Sequence, residues 1–358
     1  MNGRSFGRRA LVGIGATTAL GIALWLDLKP TARTPEITAP EEANIPPTVF
    51  ERSLPALRHG MGLAWTADSA LLISSASARL GFRVQTITGK ILEEYTVPYG
   101  DIYHRIISSD QIITQTHLHH GVPFEVVYLR DGRVLLQGID PAPHNPNSAA
   151  GNIRFAIRAD RSVVAVGYGP PHSSEPVRFY DTKTWLLLST LALPTPGPAA
   201  FWSLELSGDG EHLAYNTHGA VMIVAVADGT VVQRLPVAFA SWFKFSPDNR
   251  TLAVAERALG DGHTLALRVY RVSDGRETAH WLQPSKAFVR FIEWDPQGRF
   301  LSYINGQDVH LWNTQSDTAR DVVIRLRSES VGDLALSPDG RWMAVGDGYS
   351  IDLFRIGV

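Results

Sequence analysis

The chain of 358 residues contains no cysteine. That excludes disulfides, thiolate catalysis, Cys-ligated zinc and covalent haem attachment, and it leaves the compartment open, because exported proteins without disulfides are common. An excess of charge of either sign is also missing, with 33 Lys and Arg against 35 Asp and Glu. The net charge is −2, with no basic block after residue 9, so the electrostatic footprint of a nucleic-acid binder is missing. No Gly-x-Ser-x-Gly elbow is present, and no phosphate-cradling glycine loop precedes a helix. Beyond residue 26 the chain has no sustained helical periodicity. What is abundant is the material of a large all-β fold: 44% hydrophobic residues, nine Trp, and 22 Pro together with 31 Gly for the turns.

Residues 1–9 carry Arg4, Arg8 and Arg9 and no acid, and residues 10–26 are uncharged. As a helix this run would rise roughly 26 Å against a hydrocarbon core of about 30 Å, so residues 1–26 read as a signal peptide or signal-anchor helix. Arg8-Arg9 ahead of an apolar Gly/Ala/Thr-rich segment resembles a twin-arginine export signal. Small-x-small cleavage sites are poor here, which favours an uncleaved anchor through residues 10–26. The arginines then predict a cytoplasmic N-terminus, with the body periplasmic at the inner membrane. The alternative is an exported, soluble periplasmic protein. Residues 27–47, with Pro30, Pro35, Pro40, Pro46 and Pro47, read as a Pro-rich linker that spaces the body from the membrane.

From residue 48 to 358 a repeat takes over. The clearest copy begins at residue 241, where an alternating strand ends at Ser246-Pro247-Asp248-Asn249, a second strand follows, and a third ends at Ser273-Asp274-Gly275. The first of these turns recurs at Thr66-Ala67-Asp68-Ser69, Ser108-Ser109-Asp110-Gln111, Arg158-Ala159-Asp160-Arg161, Ser207-Gly208-Asp209-Gly210, Asp295-Pro296-Gln297-Gly298 and Ser337-Pro338-Asp339-Gly340, at spacings of 39 to 50 residues. That period is one four-stranded propeller blade. The last unit stops at its third strand, residues 351–356, while residues 48–54 resemble a fourth strand without a unit. Pairing the two ends closes a seven-bladed β-propeller and removes open sheet edges. The predicted fold is therefore an all-β seven-bladed propeller closed by its N- and C-terminal strands, preceded by one N-terminal membrane or signal helix.

With Ser337-Pro338-Asp339-Gly340-Arg341 and Val309-His310-Leu311-Trp312-Asn313, this region resembles bacterial WD-repeat and YVTN-type propellers. The dipeptide occurs as Trp312-Asn313, and the Gly-His pair that opens a strict WD unit is missing. The resemblance implies fold; such folds host many functions.

Propeller topology sorts loops onto two faces. Of the twelve histidines, nine fall on or near the face of the second-to-third strand loops and inter-blade connections: His59, His104, His117, His119, His120, His144, His172, His218 and His263. His212, His280 and His310 fall on strands or the opposite face. His117, His119 and His120 form the densest group and are candidate ligands for a transition metal or a pH-sensitive surface; the alternative is solvated loop histidines. Otherwise no cofactor is expected. Tyr103 and Trp202 are candidates to line the ring mouth, while Trp65, Trp242, Trp294 and Trp342 read as packing between blades. The expected partner-binding face thus carries His117, His119, His120, His144, His172, His218, His263, Tyr103 and Trp202. Two readings remain: a non-catalytic platform for a protein partner, and a metal- or cofactor-holding enzyme of the lactonase-like or quinoprotein-like kind.

Overall fold

The computed structural model describes residues 34–38, 46–56, 60–76, 81–96, 104–115, 124–128, 133–138, 153–168, 175–194, 203–217, 219–237, 239–257, 264–284, 289–315, 322–326, 332–346 and 350–357. Residues 35–358 form one compact unit.

Every described element is a strand. Two precede the first full repeat: β1 (Glu36–Thr38) and β2 (Thr48–Pro55). Blade 1 contains β3 (Gly60–Trp65), β4 (Leu71–Ala76), β5 (Gly81–Thr86) and β6 (Ile91–Thr96); blade 2 contains β7 (His104–Ile106), β8 (Gln111–Gln115), β9 (Phe124–Tyr128) and β10 (Val134–Gln137). Blade 3 is β11 (Ile153–Ile157), β12 (Val163–Tyr168), β13 (Val177–Asp181) and β14 (Leu187–Leu191); blade 4 is β15 (Leu204–Leu206), β16 (His212–Thr217), β17 (Ala220–Ala225) and β18 (Val231–Leu235). Blade 5 is β19 (Ala240–Phe245), β20 (Thr251–Arg257), β21 (Thr264–Arg271) and β22 (Glu277–Pro284). Blade 6 is β23 (Val289–Trp294), β24 (Leu301–Asn305), β25 (Asp308–Trp312) and β26 (Val322–Arg325). The C-terminal part supplies β27 (Asp333–Leu336), β28 (Trp342–Gly346) and β29 (Ser350–Ile356).

Blade 7 has the order β2-β29-β28-β27, so its outermost strand comes from the other end of the chain, as the sequence predicts. Thr48 pairs with Ile356 and Leu54 with Ile351 in antiparallel register. The segment read as a spacer contributes an additional strand: β1 pairs antiparallel with β26 and makes blade 6 five-stranded. Ile37 of β1 packs on the apolar cluster between blades 6 and 7.

The first strands of neighbouring blades touch one another around most of the ring, and β27 meets β3 where it closes, so these strands line the centre. Apolar side chains alternate along the strands onto both sheet faces, and the buried ones sort into seven clusters. Each lies between two adjacent blades: Phe82 and Val84 with Ile106 and Ile112 between blades 1 and 2, for example, and Trp65 and Leu72 with Leu54 and Leu353 across the closure. No blade buries its faces alone.

The recurring turn has a local cause. Ser207 Oγ donates to Asp209 Oδ1 at 2.5 Å, and that oxygen also accepts the Glu211 N–H at 2.9 Å. Ser246 with Asp248 and Ser337 with Asp339 repeat the arrangement. The fourth turn residue is left-handed in six blades, at Ser69, Arg161, Gly210, Asn249, Gly298 and Gly340 (φ 58 to 80°), which favours Gly and Asn there. Blade 2 is the exception. Its turn is closed from Ile107 N–H to Gln111 O, one residue shorter than the Ser207 to His212 bond of blade 4.

The closure predicts a split along one strand. Leu54 is 2% exposed and Val49 is 47% exposed. Leu54→Ala should cost about 2–5 kcal/mol and Val49→Ala no more than about 0.5, read from denaturant unfolding of the purified chain.

Candidate functional site

The ring centre is where the described residues gather charge. Glu205 pairs with Ala214, Lys244 with Ala253 and Glu293 with Ser302, so the three occupy the same register on the first strands of blades 4, 5 and 6. Arg105, opposite Ile113 on blade 2, has the same register once its shorter turn is counted. On blades 1, 3 and 7 that level holds Ala64, Ala156 and Ala335. Three small side chains leave room for four long ones.

Lys244 is held from both sides. Its Nζ lies 3.1 Å from Glu205 Oε1 and 3.6 Å from Glu293 Oε2, so one ammonium ties three consecutive blades. Side-chain exposures of 33% for Lys244, 15% for Glu205 and 37% for Glu293 leave the trio partly accessible to solvent in the channel. Burial alone would pull the Lys244 pKa down, but the two carboxylates outweigh it and hold the ammonium protonated above its ordinary range. Burial pushes Glu205 up, opposed by Lys244. Arg105 acts on Glu205, Lys244 and Asp333, which stand on three other blades, so the charges interact across the channel.

Asp333 occupies the other end of the first strand of blade 7. Its Oδ2 accepts the Leu63 N–H of blade 1 at 2.8 Å and its Oδ1 accepts the Leu334 N–H at 2.7 Å, so the carboxylate bridges the closure. Burial nevertheless raises its pKa to about 7. At the turn end of the channel, Arg161 of blade 3 crosses to donate through Nη2 to Trp65 O at 2.6 Å on blade 1. Burial lowers its pKa, partly offset by Glu293. Two tryptophans tie neighbouring blades at equivalent positions. Trp65 Nε1 donates to Ala335 O at 3.1 Å and Trp294 Nε1 to Lys244 O at 3.2 Å.

The predicted face residues, His117, His119, His120, His144, His172, His218, His263, Tyr103 and Trp202, lie outside the described residues, as does the apolar segment 10–26. His212, His280 and His310 sit on β16, β22 and β25, as expected. His310 is buried and stacked on Tyr303 with ring centroids 4.7 Å apart, a packing role. Trp65 and Trp294 are buried between blades; Trp242 and Trp342 are half-buried on the same kind of cluster. Among the described residues, the group able to reach one ion is Asp209, Glu211 and His212, within 4.8 Å of one another on the blade 4 turn. Asp209 Oδ1 is already engaged by Ser207 and Glu211 there. A cleft of about 480 Å³ between blades 5 and 6 is lined by Ser246, Asp248, Trp294, Gln297, Thr314 and Gln315.

The outer rim differs from the centre. Ile91 and Leu92 on blade 1, Val134 on blade 2, Leu186, Leu187 and Leu188 on blade 3 and Val231 on blade 4 are all exposed. They sit at or beside the start of the fourth strand of four successive blades, forming an apolar arc on one side of the ring. Blades 5 and 6 have Glu277 and the buried Val322 at that position, while blade 7 has the exposed Val49 beside it and blade 5 exposes Leu282 farther along its strand.

Among the described residues no helix is long and apolar enough to cross a membrane. No protein-family model and no curated protein sequence matches the chain.

Two predictions follow from the channel charges. The folded chain keeps the Asp333 proton up to about pH 7, the unfolded chain only to about 4, so the folded state gains an advantage that is complete below pH ~4 and lost as the pH rises through about 7. The melting temperature should fall between pH 5 and 8. Asp333→Asn should remove that component without exceeding the native midpoint at pH 5, because the amide NH2 cannot accept and leaves one of the two backbone N–H groups without its partner. Lys244→Met leaves two carboxylates facing one another and should cost about 1–3 kcal/mol, less than a fully buried pair because channel water screens them. Adding Glu205→Gln should recover part of that loss in denaturant unfolding.

Proposed function

We propose that this propeller, of the WD/YVTN-like kind, is a membrane-tethered, extracytoplasmic and non-catalytic scaffold that binds a protein partner. The apolar arc on blades 1 to 4 carries the reading. In this fold most large apolar side chains are buried between blades, and exposed ones repeated along one rim are a usual mark of a protein contact. The channel supports it from the other side: Lys244 and its carboxylates are satisfied by each other and bind blades together. Residues 10–26 serve as the tether, and the histidine-bearing loops offer a second contact surface.

Affinity capture from solubilised membranes with the full chain as bait tests this. The native chain should recover a reproducible protein partner, and the triple variant Ile91→Glu, Val134→Glu, Val231→Glu should lose it while keeping its melting temperature. Recovery of no reproducible partner, together with turnover of a small molecule by the purified chain, would overturn the scaffold reading.

A further inference from the structure

We propose that the centre of the apolar arc is a self-association edge, at which β14 of blade 3 pairs antiparallel with β14 of a second copy of this chain. The inference deepens the scaffold reading by naming what covers the middle of the arc, and its flanks on blades 1, 2 and 4 stay free for another partner.

Among the described residues blade 3 ends in an open edge, because β14 is hydrogen-bonded there on one side only, to β13. Its approach and first residues stand in water: Leu186 is 67% exposed, Leu187 52% and Leu188 55%. Ser189 and Thr190 are exposed as well, and only Leu191 turns inward. No charged residue occurs between Lys183 and Glu205. The other outer strands are guarded in the way natural sheet edges usually are. β6 carries Glu93 and Glu94, β18 carries Arg234, β22 carries Glu277, and β2 carries Glu51 and Arg52. The short β10 follows Arg133, and β26 is covered by β1.

Blade 6 demonstrates that an edge of this ring accepts another strand. Three residues, Glu36 to Thr38, pair antiparallel with β26, and the middle one, Ile37, packs on the neighbouring core. The occupant of the blade 3 edge must be extended, apolar and without charge, and β14 itself has those properties. Paired about a two-fold axis at Ser189, it sets Leu188 opposite Thr190 and Leu187 opposite Leu191 of the second copy, with no like charges opposed. The same operation on β6 would bring Glu93 and Glu94 against their own copies.

The chain's lack of cysteine makes the test direct. Ser189→Cys places one thiol on the axis, where antiparallel partners are roughly 4.5–5.5 Å apart between Cα atoms, within disulfide reach. Mild oxidation of the purified full chain in detergent should give a disulfide-linked dimer. The control Ser273→Cys, in an exposed turn of blade 5, should not. Adding Leu188→Lys to Ser189→Cys should reduce the cross-linked fraction by about tenfold or more, because each long ammonium side chain then faces Thr190 with its own copy on the diagonal of the same sheet face. Sedimentation should show the native chain dimeric and the Leu188→Lys chain monomeric with an unchanged melting temperature. A monomeric native chain, equal cross-linking at position 273, or a dimer indifferent to Leu188→Lys would each overturn the proposal. Because no partner is added, these outcomes are separate from those of membrane capture. A monomer that still captures a partner removes the self-association edge and leaves the scaffold.

Discussion

Closure of the ring depends on eight residues near one end of the chain, Thr48–Pro55, pairing with the edge of the last strand at the other. A string of four-stranded sheets has two unsatisfied ends, and each sheet here has two apolar faces that only a neighbour can cover. When β2 joins β29, the cluster of Leu54, Trp65, Leu72 and Leu353 forms, and the first blade gains its missing neighbour. The Asp333 carboxylate and the Trp65 indole then bond across the same junction. Long-range contact between the chain ends is thereby converted into the same inter-blade packing found around the rest of the ring.

The charges at the centre follow from that geometry. Seven first strands converge, and a long side chain on one reaches its neighbours on both sides, as Lys244 reaches Glu205 and Glu293. Opposite signs on consecutive blades neutralise one another, while alanines on blades 1, 3 and 7 keep the level from overfilling. At the rim the constraint is reversed. There each sheet ends in free backbone groups, and the side chains of the fourth strand decide whether that edge is repelled, covered or available.

Most of the architecture was legible because its marker is local. Ser and Asp two residues apart close the same turn in blade after blade through a hydroxyl-to-carboxylate bond, and Gly or Asn satisfies the left-handed fourth position. The closing strand could be read from an unpaired strand at each end. The fifth strand of blade 6 could not, since three residues between Pro35 and Pro40 carry no periodicity. Glu205, Lys244 and Glu293 were visible in principle, each two residues before a recurring turn. Arg105 was hidden, because counting back from Ser108 in the shortened turn of blade 2 points to Ile106. The imidazole-rich face, inferred from loop placement, lies outside the described residues, and the apolar rim has no sequence period to announce it.

The N-terminal strands are arranged in series, with β1 on the edge of blade 6 and β2 on the edge of blade 7. A pulling force arriving from the N-terminal side therefore loads the three-residue β1 before it reaches the eight residues of β2. Peeling β1 lengthens the slack chain and leaves the closed ring whole. Under such a load the short strand would yield like a fuse, ahead of the clasp.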